Sequence, residues 1–293
     1  MAETLTFTVP VEFDGKPAKW FLKDHCSLST RMITQLKREK EGILMDGEIL
    51  RTVDPVRKGA VVTINLPVEE SPYIEPIEGD LDVVFEDDHL LVVNKPCDMP
   101  VHPVKQHQTD TLANIVVFRA RKKGESFVFR AVNRLDRNTS GLVMIAKDRF
   151  TVNKLKNKVD KVYYAFVHGE MISSGTVNAP IGLLEDSKIK RHVLAEGAPA
   201  ITHYEILFSK KEYSYIKLVL ETGKTHQIRC HMAYLGHPLL GDDLYGGKLY
   251  LISRHALHCG EMSFDHPVTG ERIDLKAELP SDMKKLQVIS RKL

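Results

Sequence analysis

Three short segments bring together side chains able to act on a substrate. The first, Asn133-Arg134-Leu135-Asp136-Arg137-Asn138-Thr139-Ser140-Gly141, holds a carboxylate between two arginines in a turn ahead of an apolar strand. Flanking positive charge favours the ionised form of Asp136, as a carboxylate nucleophile or base requires. The same turn is equally served by an aspartate that accepts backbone N–H bonds while its arginines face solvent. The second segment, Lys161-Val162-Tyr163-Tyr164-Ala165-Phe166-Val167-His168-Gly169, reads as a strand. Alternation sets Lys161, Tyr163, Ala165 and Val167 on one face and Val162, Tyr164 and Phe166 on the other. The second, bulky set is expected to face the core, and Tyr163, sharing its face with a lysine, to border a cleft or the surface.

The third segment runs Gly223-Lys224-Thr225-His226-Gln227-Ile228-Arg229-Cys230-His231 and on to Leu235-Gly236. Thr225 is the expected N-cap and Gly236 the expected C-cap of a helix of about three turns. Ile228, Met232 and Leu235 recur at i, i+4 and i+7 as its buried stripe. Arg229 falls off that stripe in the first turn. A cation there opposes the helix dipole unless a partner anion compensates, so Arg229 is either functional or simply solvated. His226, Cys230 and His231, with His255, His258 and Cys259, offer nitrogen and sulfur for a metal-dependent hydrolase or deaminase. The spacing argues against it, because His226 and His231 are five apart and do not stack as i, i+4 ligands do.

The surrounding chain is ordinary. It has 293 residues, 43% hydrophobic and 27% charged, enough for a large core plus a small one. No apolar run approaches the ~20 residues that cross a bilayer. The start Met1-Ala2-Glu3-Thr4 lacks a basic, then apolar, leader, and four scattered cysteines form no Cys-x-x-Cys pair. A cytoplasmic chain with free thiols is expected.

The net charge of +2 divides unevenly. Residues 1–66 carry 10 Lys/Arg against 9 Asp/Glu, residues 67–88 carry 9 acids and no Lys/Arg, and residues 89–293 carry 31 Lys/Arg against 21 acids. A basic body favours a polyanionic partner, because neutralised phosphates release counterions. Residues 67–79, with three prolines and four glutamates, read as a linker. Before it, Leu22–Cys26 and Ser29–Lys40 are expected as short helices, the second capped by Ser29 and carrying Lys37 and Arg38. A hairpin turning at Asp46-Gly47 and a strand from Val61 to Leu66 follow. Beyond it, strands at 90–94, 142–146, 162–168 and 215–221 outnumber helices at 111–122, 148–159 and 225–235 and do not alternate with them. The body is therefore read as α+β on a mixed or antiparallel sheet with flanking helices.

Together the three segments resemble the RluA family of pseudouridine synthases. Arg134-Leu135-Asp136 with Thr139-Ser140-Gly141 is similar to its catalytic-loop motif, Lys161-x-Tyr163 to its second, and Gly223 to Arg229 to its third. Val92-Val93-Asn94-Lys95-Pro96 with His102-Pro103, and Arg254-His255-Ala256-Leu257-His258 with His266-Pro267, agree in order and spacing. The likeness covers nearly all of residues 80–293. The head, 1–66, is similar over about 10–66 to the small α/β alpha-L RNA-binding module.

The resemblance implies an RNA-uridine isomerase whose Asp136 starts glycosidic cleavage, whose Tyr163 packs against the base and assists proton removal from C5, and whose Arg229 pairs with Asp136. Arg134 would fill the gap left by the extruded nucleotide, with Arg137, Lys161, Lys224, His226, Lys37 and Arg38 as further RNA contacts. It implies no cofactor, metal or nucleotide, a monomer, and ribosomal (large-subunit) or transfer RNA as partner. A clamp of this family that binds RNA without modifying it is the alternative. Lys224 stands where arginine is usual, Asn133 where histidine is common, Asp98 where glycine is frequent, and Cys230 where an apolar residue is.

Overall fold

The computed structural model describes residues 3–66, 74–125, 127–183, 187 and 189–292. In chain order the elements are β1 (Glu3–Thr8), α1 (Ala18–Trp20), which runs into a π-type turn over Phe21–His25, α2 (Thr30–Leu36), β2 (Ile43–Met45), β3 (Glu48–Ile49) and β4 (Val61–Leu66). Then come β5 (Val83–Glu86), β6 (Leu90–Lys95), α3 (Leu112–Lys122), β7 (Arg130–Ala131), β8 (Ser140–Ala146), α4 (Arg149–Leu155), β9 (Asp160–His168) and β10 (Gly175–Asn178). The chain continues with β11 (Ile181–Leu183), β12 (Arg191–Val193), β13 (Ile201–Ser209), β14 (Tyr213–Leu220), α5 (Gln227–Tyr234), β15 (Leu257–Asp265), β16 (Arg272–Lys276) and α6 (Ser281–Lys292).

The head folds as a four-stranded antiparallel sheet in the order β1-β4-β2-β3. Alternation drives it: Val62, Ile64 and Leu66 are buried while Val61 is exposed. The β2–β3 turn has Asp46 at φ 51° and Gly47 at φ 88°, both in the left-handed region that a two-residue hairpin needs. The Ser29 hydroxyl accepts from the Met32 N–H, as expected of a cap, but α2 stops at Leu36, so Lys37 and Arg38 lie in the exposed turn after it.

Phe150 of α4 sits in the head's apolar cluster, its ring 5.7 Å from that of Phe7. Arg149 also bonds to Gln35. The head is thus docked on the body through α4, in addition to the chain connection. Residues 67–73 of the acidic segment lie outside the described residues. Residues 74–79 have no regular structure but run along α3, where Asn114 donates to the Glu75 carbonyl and accepts, through its own carbonyl, the Ile77 N–H.

The body is α+β around a ten-stranded mixed sheet, ordered β10-β13-β14-β9-β15-β8-β6-β5, with β16 on β15 and β7 on β8. The β15–β8 pair is parallel and the other pairings run antiparallel. Every residue of β8 is buried, as a strand covered on both faces should be. Gly141 at the start of β8 has φ 116°, and a Cβ there would meet the Cys259 carbonyl at 2.2 Å. Only glycine lets these two strands approach directly behind the Asp136 turn.

The chain departs from sequence expectation on β9. Tyr163, Ala165 and Val167 join the main core, whereas Phe166, with Tyr164 packed against it, joins a smaller cluster with Met283 and Leu286 of α6. Both faces are covered, because α6 returns from the end of the chain to close the second; local alternation does not carry that information. Helix α4 is also shorter than expected, ending at Leu155 before Asn157 turns to φ 60°.

Candidate active site

Asp136 is carried in the turn between β7 and β8, closed by a Thr139 N–H to Asp136 carbonyl bond of 3.0 Å. The turn is held from several sides. The buried Lys95 ammonium donates to the carbonyls of Pro96, Met99 and Arg137 at 2.7, 2.8 and 3.1 Å. Asn133 accepts from the Met144 N–H and donates to the Leu142 carbonyl, so its amide zips the loop to β8. Behind the loop, Thr139 bonds to His255 at 2.7 Å and Ser140 to His258 at 2.9 Å. Arg254 donates to the Asn138 carbonyl and makes two bonds to Asp282 of α6.

Helix α5 supplies the opposing cation. Arg229 Nη1 donates to Asp136 Oδ2 at 3.1 Å, while Nε and Nη2 bind both oxygens of Asp242 at 2.7 and 2.8 Å. The side chains of Arg229, Asp242 and Asp136 are 8%, 0% and 28% exposed. Burial alone would lower the guanidinium's pKa, but the Asp242 bonds and charge, then those of Asp136, raise it above its ordinary value. Asp242 is thus the inner anion that offsets a cation at a helix N-terminus, leaving Asp136 as the outer, solvent-facing one. Gly241 beside it has φ 71°, and a Cβ there would meet the Arg254 carbonyl at 2.1 Å. The Tyr245 ring packs below the guanidinium, 5.1 Å away.

The expected Thr225 cap is not the one used. His226 occupies the N-cap at φ 58° with no side-chain cap, and buried Gln227 ties the helix start down by bonds to Thr222, the Lys224 N–H, the Ile201 carbonyl and Thr202. The left-handed turn costs about 1–3 kcal/mol for a non-glycine residue. It sets His226 Nε2 3.6 Å from Asp136 Oδ2. Burial first, and Arg229 among others, push this histidine below its ordinary pKa, against the pull of Asp136.

These groups border an open cleft of about 380 Å³ lined by Arg134, Asp136, Tyr163, Lys224, His226 and Arg229, with apolar walls that include Leu220, Ile228 and Leu257. Tyr163 is 7% exposed. Burial, then the adjacent Cys259 and Asp136, hold its phenol well above pKa 10, so it is neutral. Of the expected RNA contacts, Arg134 and Lys224 are exposed on the cleft wall. Arg137 turns away: it pairs with Asp98 at 2.6 Å and with His107 at 3.2 Å. That pairing accounts for Asp98, which sits at φ 60° where glycine would be easier but adds a carboxylate to clamp the loop. Lys161 is half-buried, donates to the Val159 carbonyl and does not line the cleft.

The possible metal ligands do not assemble among the described residues. His231 is spent on Thr202 and the Ala179 carbonyl, and His255 and His258 on hydroxyls. Sequence reasoning missed Asp242, Tyr245 and Gln227. An aspartate directly after Gly241 was the one available signal for the first, and it does not say which cation it meets.

Burial chiefly pushes the pKa of His255 down to about 2 and that of His258 to about 4, from an ordinary 6.5. Below pH 6.5 the unfolded chain takes up protons that the native one refuses, so stability is full above that pH and falls as pH drops toward 4. The expected slope is about 1.4 kcal/mol per pH unit for each histidine. Urea midpoints between pH 7 and 5 should show this, with a shallower slope in His258→Gln; an unaltered slope in the variant would refute it.

A family model described as RNA pseudouridylate synthase matches residues 89–234. The uncharacterised RNA pseudouridine synthase YhcT of Bacillus subtilis is 41% identical over 239 residues, covering 79% of this chain and 79% of the relative. Ribosomal large subunit pseudouridine synthase D of Xanthomonas campestris is 36% identical over 262 residues, covering 83% and 79%. Among solved structures, human RNA pseudouridylate synthase domain containing 4 superposes with a TM-score of 0.58 at 23% identity, over 71% of this chain and 92% of that one, which establishes the fold. The chain belongs to the RluA family of RNA pseudouridine synthases, a class of isomerases.

Proposed function

We propose that the protein isomerises specific uridines of large-subunit ribosomal RNA to pseudouridine, with Asp136 as the catalytic carboxylate. The observation that carries this is the chain Asp136–Arg229–Asp242: a fully buried acid fixes the guanidinium, which in turn aims a part-exposed carboxylate into a cleft. The substrate assignment is supported by relatives named for the ribosomal large subunit.

A uridine reaches such a cleft only after leaving its stack, at a cost of a few kcal/mol. Arg134, exposed at the rim, is placed to fill the vacated space. Asp136 then acts at the sugar, as nucleophile on C1′ or as base at C2′, and the N1–C1′ bond breaks. The freed uracil turns and its C5 bonds to C1′ as the Asp136–C1′ bond breaks or, on the other route, as Asp136 returns its proton to C2′. The C5 proton then passes to solvent and N1 is protonated, so the product is an isomer of the substrate and the carboxylate is regenerated. Tyr163, buried and neutral, suits packing against the base; a phenol with so raised a pKa is a poor proton acceptor. Apolar cleft walls strengthen the field of the Arg229 cation on Asp136 and on developing charge.

Tritium release from uridine-5-³H in transcribed large-subunit ribosomal RNA tests the reaction. Release is expected from the wild-type protein, and none on any cellular RNA would favour a clamp. Lys37 and Arg38, exposed on the head, are expected to touch phosphate. Replacing both with Ala should weaken RNA binding and flatten the slope of log Kd against log salt by about 0.7–0.9 for each phosphate no longer neutralised. Unchanged affinity would remove the head from the RNA surface.

A further inference from the structure

Arg191 lies on β12, in the β11–β12 hairpin, opposite Leu183. Its backbone N–H donates to the Tyr245 hydroxyl at 2.9 Å. That hydroxyl lies 3.2 Å from His226 Nδ1, and the Tyr245 ring packs on Arg229, so Arg191 is tied by one tyrosine to the active-site wall. The residue is half-buried, and its Nε is buried without a hydrogen-bond partner. Among the described residues no carboxylate pairs with its guanidinium. The nearby acids are committed: Asp242 takes two bonds from Arg229, and Asp136 takes one from Arg229 with His226 close by. Lys190 next to it has its ammonium 5.6 Å over the same Tyr245 ring, which adds positive charge and no anion.

Holding a guanidinium nitrogen out of water without a partner forfeits its hydration and returns nothing, so an arginine that no described carboxylate neutralises, one tyrosine away from the cleft wall, is suited to receive an anion. Its planar fork fits a tetrahedral oxyanion in two-point fashion better than a lone ammonium would. The charge of Arg191 also reaches His226, adding to the burial that lowers that histidine's pKa.

We propose that Arg191 is the seat for a backbone phosphate next to the uridine held in the cleft, an RNA-binding residue additional to those the sequence motifs supply. The proposal rests on the RNA-isomerase reading for its ligand. On it, the β12 strand and the β7–β8 turn grip one nucleotide from two sides, Arg191 at the phosphate and Asp136 at the sugar. The arginine binds the substrate and leaves the bond-breaking step to Asp136.

The test uses the full chain with transcribed, unmodified large-subunit ribosomal RNA, comparing wild type, Arg191→Gln and Arg191→Lys. Tritium release should show KM raised about tenfold in the Gln variant with kcat within about twofold, and about half of that loss recovered by Lys. Filter binding between 50 and 200 mM NaCl, roughly the range in which phosphate contacts show, should give a salt slope shallower by about 0.7–0.9 in the Gln variant alone. A Gln variant with unchanged KM and unchanged slope overturns the proposal. So does a fall in kcat at constant KM, which would place Arg191 behind His226 as a structural prop. Should the wild-type protein release no tritium, the isomerase reading fails on its own, and the salt slope still decides whether Arg191 holds phosphate.

Discussion

Asp136→Asn is expected to lower turnover by at least about 10⁴-fold while leaving the fold and the affinity for RNA close to wild type. The amide keeps the shape of the side chain and an oxygen for Arg229 Nη1, now 3.1 Å away, but loses the negative charge that either attack at C1′ or proton removal at C2′ requires. The stability change should stay within about 1 kcal/mol, because the side chain is part-exposed and Arg229 retains both bonds to Asp242. RNA affinity should hold or rise slightly, since a negative charge is removed from a phosphate-facing surface. Single-turnover tritium release, thermal melting and filter binding measure the three effects. More than about one hundredth of wild-type turnover would mean another group starts the reaction.

Asp242→Ala should be the costliest change to the scaffold of the site. It strips a buried guanidinium of two charge-assisted bonds and leaves it with one part-exposed partner. Removing one member of a buried pair costs about 3–5 kcal/mol, which for a chain of this size corresponds to roughly 10 °C in Tm. Turnover should fall by about 10²-fold, because a freed Arg229 no longer presents its Nη1 to Asp136 in one fixed direction. The double variant Arg229→Met with Asp242→Leu separates the two effects. Stability should recover, since apolar groups of similar volume can replace a buried pair, but activity should not. A single Asp242→Ala protein that melts within about 1 °C of wild type would show that the pair does not anchor the site.

Much of this site was legible because its chemistry sits in contiguous motifs. The loop around Asp136, the strand bearing Tyr163 and the turn before Arg229 announce themselves through residue type and spacing, and the awkward position of Arg229 at a helix start left a choice between a partner anion and solvent. What was misjudged depends on contacts distant in sequence. Tyr163 was expected at a cleft or the surface and does line the cleft, but its burial in the main core, with Lys161 folded back on the Val159 carbonyl, was not foreseen. Arg137, offered by the family resemblance as an RNA contact, is paired with Asp98, 39 positions earlier, a partner that no local signal names. The His226 cap escaped notice because a left-handed histidine is set by what surrounds it, here Asp136 and Tyr245.

Local alternation, capping residues and turn residues by themselves determined the head's hairpin, the start of α2 and four strands of the body, β6, β8, β9 and β14, while residue type and spacing singled out the three segments that border the cleft. Those signals act within about ten residues, where backbone preferences and side-chain period are felt directly. The tertiary structure decided which acid holds Arg229, which basic residues face the cleft, and that Phe150 of the body completes the core of the head. Each of these is a pairing across dozens of residues, and a buried charge or ring takes whichever partner the packed sheet brings within reach.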